Sequence, residues 1–335
     1  MLRIAVLGCG RIGRMHAANI AAHPRATLAA VYDLHRPAAE EVAAANGITA
    51  SESAETIFAS AEVDALLIAT ATDTHVGYIE RAVAAGKPVL CEKPIDLSLA
   101  RANACAAKIR GSGVPIQLGF NRRFDPGHRA ARDAVLAGEI GALEQVIITS
   151  RDPAPAPRAY LEVSGGIFRD MTIHDFDLAR FVLGEEIVEV FATGSRLVEP
   201  QMMAEIDDYD SVMVVMKTAG GRLCHVNCAR RAVYGYDQRM ELFGSAGMLI
   251  SENRAAHELR RYSAGAARAA EPCLHFFIER YREAYDAEID AFVDCVTRGI
   301  APEVDFEDGR KALVLAEAAG LSAREGRVVA VSEVD

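Results

Sequence analysis

Three polar clusters in this chain carry residue types that could do chemistry. In Asp170-Met171-Thr172-Ile173-His174-Asp175-Phe176-Asp177, a carboxylate stands four residues before a histidine. Read as a helix, Asp170, His174, Asp177 and Phe181 follow the i, i+4, i+7, i+11 spacing of one face. A carboxylate one turn before a histidine holds one ring nitrogen and leaves the other to accept a proton near neutral pH. Gly165-Gly166 just upstream would let the chain come close to a ligand. The same spacing also suits an ion pair on a helix surface or half of a metal site. The second cluster is Glu92-Lys93-Pro94, which follows the apolar run Pro88-Val89-Leu90-Cys91. It places a lysine at the carboxyl end of a strand, the edge where open parallel sheets bind ligands. The third is Gly8-Cys9-Gly10-Arg11-Ile12-Gly13.

Glycine spacing alone is a weak signal, but here its setting is specific. The turn follows a buried strand, Ile4 to Leu7, and opens a helix from Arg14 to Ala22. An acidic residue, Asp33, closes the next strand about 20 residues on, as a dinucleotide fingerprint requires. The first glycine makes the tight turn, the second admits a pyrophosphate, and the third lets helix and strand pack closely. The helix N-terminus favours the phosphate charge. Gly8, Gly10, Arg11, Ile12, Gly13 and Asp33 are therefore expected to bind the cofactor. A carboxylate at Asp33 accepts hydrogen bonds from ribose hydroxyls and repels a 2′-phosphate, which favours NAD over NADP. Arg36 reads as a solvated residue at the start of the following helix.

The elements that must position these residues follow from pattern. Up to Asn121, short apolar runs alternate with helical stretches, as in parallel βαβ units. The strands are Ile4 to Leu7, Leu28 to Tyr32, Ala65 to Ala69, Pro88 to Cys91 and Ile116 to Phe120. Beyond it, Glu144 to Thr149, Ser211 to Met216, Leu223 to Cys228 and Arg239 to Phe243 alternate as half-buried antiparallel strands do. Pro153 to Pro157 reads as a stiff loop. Helical patterns run from His275 to Thr297 and from Asp308 to Gly320. The expectation is an α/β Rossmann domain over residues 1–121, binding NAD. An α+β domain over 122–335 carries a largely antiparallel open sheet, for substrate binding and oligomerisation.

Composition narrows the function. A formal net charge of −11 argues against a nucleic-acid partner, which would meet a basic face. No apolar run approaches the ~18 residues of a membrane span, and the short N-terminal one lacks a signal peptide's form. A cytoplasmic protein is expected. The seven cysteines have no zinc-site spacing and read as buried free thiols, with Cys224 and Cys228 on one face of a strand.

Taken together, the glycine turn, Cys91-Glu92-Lys93-Pro94, Gly119-Phe120-Asn121-Arg122-Arg123-Phe124-Asp125 and Asp170 to Asp177 resemble the Gfo/Idh/MocA oxidoreductases. More narrowly, Ser150-Arg151-Asp152-Pro153, Phe168 to Asp175 and Arg230 to Arg239 resemble the family's bacterial inositol 2-dehydrogenase subgroup. The resemblance runs from Ile4 to about Gly326. It implies Lys93, Asp170 and His174 as the catalytic group, and Arg122, Asp152 and Tyr236 at substrate-lining positions. It also implies Thr72, His75 and Glu92 against the nicotinamide half of the cofactor. Asn121 and Asp152 stand where relatives carry other residues. The implied reaction is oxidation of a ring hydroxyl of a small polyol, with His174 as base, Asp170 orienting it and Lys93 on the reacting oxygen. The cofactor takes the electrons, so no metal is called for. Family habit implies a homo-oligomer, a tetramer, with the open sheet as interface. A sugar dehydrogenase of the same family is the first alternative; a non-enzymatic NAD-binding regulator is the second, but it would need a DNA-binding module. On the strength of Asp33, catalytic efficiency should be higher with NAD than with NADP, and Asp33→Ser should weaken NAD binding and relax the preference. Steady-state kinetics with both coenzymes check this; a wild type that prefers NADP would reverse the assignment.

Overall fold

Apolar runs cut short by glycine or polar turns make the first five strands of a computed structural model that describes residues Met1–Asp335. These are β1 (Leu2–Leu7), β2 (Ala26–Tyr32), β3 (Ala65–Ile68), β4 (Val89–Cys91) and β5 (Ile116–Leu118). Between them run α1 (Arg11–Ala22), α2 (Arg36–Ala45), α3 (Ala54–Ala59), α4 (His75–Ala84) and α5 (Leu99–Ile109). The strands pair in parallel in the order β2-β1-β3-β4-β5. Every residue of β3 and β4 is buried, which explains their unbroken apolar sequence: helices cover both faces. Parallel pairing brings the turns after β1, β2, β3 and β4 to one edge of the sheet. Gly8, Asp33, Thr70 and Glu92-Lys93 stand there, in accord with the expected Rossmann architecture.

The second sheet is built on alternation. Its strands are β6 (Leu143–Arg151), β7 (Ile187–Ser195), β8 (Ser211–Thr218), β9 (Leu223–Ala229), β10 (Asp237–Gly244) and β11 (Gly247–Ser251). A separate hairpin, β12 (Arg260–Ser263) and β13 (Ala266–Ala270), follows them, and β14 (Val329–Ala330) closes the sheet order β11-β10-β6-β9-β8-β7-β14. Only β6 and β9 pair in parallel; the other neighbours are antiparallel. On β8, Val212, Val214 and Met216 are buried while Met213 and Val215 are exposed. Cys224 and Cys228 share the buried face of β9 with Val226, and all seven cysteines are free.

Six helices accompany this sheet: α6 (Pro126–Leu136), α7 (Arg158–Leu161), α8 (Ile167–Asp170), α9 (Thr172–Leu183), α10 (Pro200–Glu205) and α11 (Phe277–Arg280). Phe176, Leu178, Ala179, Val182 and Leu183 of α9 join the buried face of the sheet in one core. Pro153 to Pro157 has no helix or strand, as expected. The helix read through Asp170 and His174 is interrupted. It breaks at Met171 (φ −102°, ψ −62°), so that Asp170 ends α8 and His174 lies in the first turn of α9.

Two long helices, α12 (Arg282–Arg298) and α13 (Phe306–Glu325), come before β14. The chain divides into two compact units, Met1–Asn121 with Ala284–Leu313, and Arg122–Glu283 with Val314–Asp335. The first boundary falls where the change of pattern put it. The assignment of everything after residue 122 to one domain is corrected, because Ile289, Phe292 and Val293 of α12 complete the core around β1, β2 and α1. The single helix expected from His275 to Thr297 is two, α11 and α12. No helix is long and apolar enough to cross a membrane.

Candidate active site

In the first unit, the turn after β1 shows three glycines with different requirements. Gly8 has φ +96°, and a Cβ there would lie 2.3 Å from the Ala69 carbonyl oxygen. A Cβ on Gly13 would lie 1.9 Å from the Gly8 carbonyl oxygen. Gly10 is under neither constraint: its φ is −70°, and a Cβ would meet nothing within 4 Å. It is the N-cap of α1 and provides no side-chain cap, so the first-turn amides have no such acceptor. An uncapped helix N-terminus over open space fits a pyrophosphate. Arg11 is exposed and Ile12 half-buried in that first turn. Asp33 fastens the turn from the next strand. Its Oδ2 accepts the Cys9 N–H at 2.6 Å and its Oδ1 the His35 N–H at 2.7 Å. Arg36 donates to Glu40 at 2.8 Å, in keeping with a solvated helix start.

Around β3 and β4, the loops are tied to each other. Thr72 opens a short turn, Thr72–Thr74, after the Thr70 loop. His75 is 1% exposed, with Nδ1 2.8 Å from the Pro94 carbonyl oxygen and Nε2 3.1 Å from that of Thr70. Burial lowers its pKa and keeps the ring neutral. Both ring nitrogens face backbone carbonyls; the neutral ring has one N–H and donates it to one of them, so His75 links these loops. Glu92 is likewise engaged: Oε1 lies 2.8 Å from His16 Nε2, and Oε2 accepts the Lys93 N–H at 3.2 Å. Lys93 is half-buried, and the Lys93–Pro94 peptide is cis.

The second unit gathers the remaining predicted residues. Arg122 is 4% exposed, donates to Asp175, and donates to Ser150 Oγ at 3.2 Å. Arg123 holds Asp177 through two bonds, at 2.8 and 2.5 Å. Asp177, read as sharing a face with Asp170 and His174, is thus committed to an arginine. Burial pushes the Asp175 carboxyl up to about 6, with Arg122 opposing. Tyr236 is buried, its ring edge-on to Tyr281 with centroids 6.0 Å apart. Burial raises its phenol well above the usual range; Arg122 opposes this, while the charges of Asp152 and Asp175 add to it. Arg122, Asp152 and Tyr236 therefore share one electrostatic neighbourhood. The carboxylate of Asp170 accepts from Tyr160 Oη at 2.7 Å and from Arg230 Nη1 at 3.0 Å. Arg230 also donates to Asp208 at 3.1 Å, and Asp208 accepts the Ile167 N–H at the start of α8. His174 is half-buried.

Sequence reasoning missed several of these partners. Tyr160 lies just past the proline-rich loop with no local signal. Arg230 enters only as the first residue of the Arg230 to Arg239 segment, and Asp208 carries no signal at all. Asp175 and Asp177 had a usable signal, two acids two residues apart matching the adjacent Arg122 and Arg123.

Comparison with known proteins gives these features a family. Residues 2–120 match the model described as "Oxidoreductase family, NAD-binding Rossmann fold", and residues 128–250 match the "GFO/IDH/MocA C-terminal domain". The chain belongs to this family. It is similar to an inositol 2-dehydrogenase from Rhizobium meliloti, 44% identical over 331 residues and covering 99% of both chains. A crystal structure of a myo-inositol dehydrogenase from Corynebacterium glutamicum superposes with a TM-score of 0.95, at 47% identity and 98% coverage of both chains. A scyllo-inositol dehydrogenase from Lactobacillus casei, solved with bound NAD(H) and scyllo-inositol, superposes at 0.92, with 28% identity and 99% coverage of both. This oxidoreductase uses NAD, and the open ground above Gly10 suits it. Gly13→Ala should therefore destabilise the fold by about 3 kcal/mol or more, the upper end of overpacking costs. Gly10→Ala should melt as the wild type does but bind NAD at least ~tenfold more weakly, a loss of about 1.4 kcal/mol. Thermal melts and NAD calorimetry on both variants decide it; equal melting, or unchanged NAD affinity in Gly10→Ala, would contradict this division of roles.

Proposed function

We propose that this oxidoreductase oxidises one ring secondary alcohol of myo-inositol, or of a close cyclitol, to the ketone, an inosose. The identity of 44% over nearly the whole chain to an inositol 2-dehydrogenase supports this most. The cluster of hydroxyl-binding groups in the second unit agrees with it: Asp152, Tyr236 and the Asp170–Tyr160 pair offer acceptors and donors suited to a polyol. The scyllo isomer is the competing substrate, since one structural relative carries it. NAD, when bound, supplies the hydride acceptor.

The chain's own residues manage the proton and the oxygen. Lys93, at the carboxyl end of β4, binds the reacting oxygen and favours its developing alkoxide character. His174, in the first turn of α9, is the base that takes the hydroxyl proton. Asp170 supports it; the hydrogen bonds from Tyr160 and Arg230 fix its carboxylate. Thr72 and Glu92 stand on the cofactor-facing loops. Arg122 has a structural share in this scheme, because its guanidinium is already held by Asp175 and Ser150.

We also read the protein as a homo-oligomer, a tetramer by family habit. Across the second sheet, Ile250, Glu241, Ile147, His225, Val215 and Phe191 fall in one register row on the outer face. Ile250, Ile147, Val215 and Phe191 are each at least 38% exposed, a row of apolar side chains that a second copy would cover. Sedimentation of a strict monomer would overturn this part.

A panel of NAD reduction with myo-inositol, scyllo-inositol and glucose tests the substrate. His174→Asn should lower polyol oxidation by about 10²–10⁴-fold, the usual worth of a general base, while NAD still binds. Wild-type oxidation should rise with pH as the base loses its proton, and the variant should lack that limb. Asp170→Asn should give a milder loss in rate, together with some loss of stability from the weakened Arg230 pair. A His174→Asn enzyme that keeps both rate and titration would shift the proton to Lys93 or to water.

A further inference from the structure

One buried acid in the first unit has no part in the scheme above. Glu288, on α12, is 0% exposed, and neither of its carboxylate oxygens meets a hydrogen-bond donor. It lies beside two titratable groups from other elements, His16 of α1 and Glu92 at the end of β4. One ligand-type atom from each of the three falls within 4.8 Å of the others. Tyr285, one turn earlier on α12, closes the group by setting its ring edge-on to His16, with centroids 5.6 Å apart. From β5, Gln117 Nε2 donates to the Glu288 backbone carbonyl at 3.0 Å and so anchors this turn of the helix.

A fully buried carboxyl this close to a second, ionised carboxylate resists losing its proton. Glu92 already has partners for its charge, since Oε1 faces His16 Nε2 and Oε2 accepts the Lys93 N–H. Glu288 has none, so a proton is the compensation that the residues themselves provide. We propose that Glu288 is a positioning residue: a neutral carboxylic acid that donates its proton to Glu92 and thereby fixes the carboxylate that holds the Lys93 backbone. Burial, with the charge of Glu92 adding to it, raises the Glu288 pKa well above the carboxylate range. The kinetic side of the proposal rests on the reading of Lys93 as the group on the reacting oxygen; the proton on Glu288 does not.

The sign of the pH effect follows. Below its raised pKa Glu288 is neutral and the cluster is intact. As pH rises through that pKa, two like charges face each other and the grip on Lys93 loosens, so turnover falls on the alkaline side. Glu288→Gln keeps an N–H donor of the same reach with nothing to titrate. It should stay within a few-fold of wild-type turnover at neutral pH and lose the alkaline fall assigned to Glu288. Glu288→Leu should lower kcat by ~10²-fold, the scale of a small misplacement of a catalytic group, with KM for polyol changed far less.

Two measurements on the NAD-bound enzyme need no turnover. Infrared spectroscopy at neutral pH should show the C=O stretch of a buried carboxylic acid that shifts in heavy water and is missing from Glu288→Gln. Hydrogen exchange at the Lys93 amide should be faster in Glu288→Leu and near wild type in Glu288→Gln. If inositol is not the substrate, the rates fall silent but these two readouts still decide. No Glu288-dependent carboxylic band would overturn the proposal. So would a stoichiometric metal ion in the purified wild type that Glu288→Gln lacks, because a cation would then hold the cluster. If Glu288→Leu fails to fold, the band and the alkaline limb in Glu288→Gln carry the test alone.

Discussion

A guanidinium taken out of water needs a carboxylate to meet it, and the second unit is organised around that demand. Arg122, Arg123, Arg230 and Arg280 are each at most 6% exposed. They are met by Asp175, by Asp177, by Asp170 with Asp208, and by Asp125. Desolvating such ions costs several kcal/mol each, and deleting one partner of a buried pair typically costs 3–5 kcal/mol. These pairs contribute less as net stability than as geometry. Only one placement of α9 lets Asp175 and Asp177 reach the two adjacent arginines at the start of the unit. That placement also sets His174, which directly precedes Asp175 on the same helix. Asp170 is aimed by the same logic, clamped between Arg230 and Tyr160.

The first unit answers the same demand with neutral groups. Asp33 is met by two backbone amides, and His75 sits between two backbone carbonyls. These bonds run between loops at the carboxyl edge of the sheet, where no regular pairing would otherwise hold them. The cofactor-side loops are therefore fixed by single polar side chains, each acting on the backbone of a neighbour. Bonds of this kind decide where the ligand-facing residues stand.

How far the sequence could be read depended on the range of each interaction. The parallel strands were legible because an apolar run followed by a glycine or a polar turn is a local signal, and Gly8, Gly13 and Asp33 carried theirs in spacing. The alternating strands of the second sheet were legible for the same reason. The break at Met171 was hidden, since no glycine or proline marks it and the helical period continues on both sides. The hairpin β12–β13, rich in alanine and arginine, had no apolar alternation to betray it. The roles of Arg122, Asp177, His75 and Glu288 were hidden for another reason. Each depends on a partner outside its own helix or turn, so composition and period gave them the look of ordinary polar residues. Glu288 in particular falls in the apolar stripe of its helix with Tyr285, Ile289 and Phe292, and nothing nearby in the chain shows what meets its carboxyl.

The place of α12 has a consequence for how the protein is made. Ile289, Phe292 and Val293 belong to the same core as Ile4, Val6 and Ile20. A ribosome emits the two groups far apart in time, with six of the seven strands of the second sheet between them. The nascent Rossmann segment must therefore wait with one flank of its sheet uncovered, showing water the apolar surface that α12 will later claim. Chains that leave such surface open for long are prone to associate wrongly. The N-terminal domain, the part with the clearest signature in the sequence, is thus among the last to be finished, and a fragment cut at residue 121 would be a domain lacking part of its own interior.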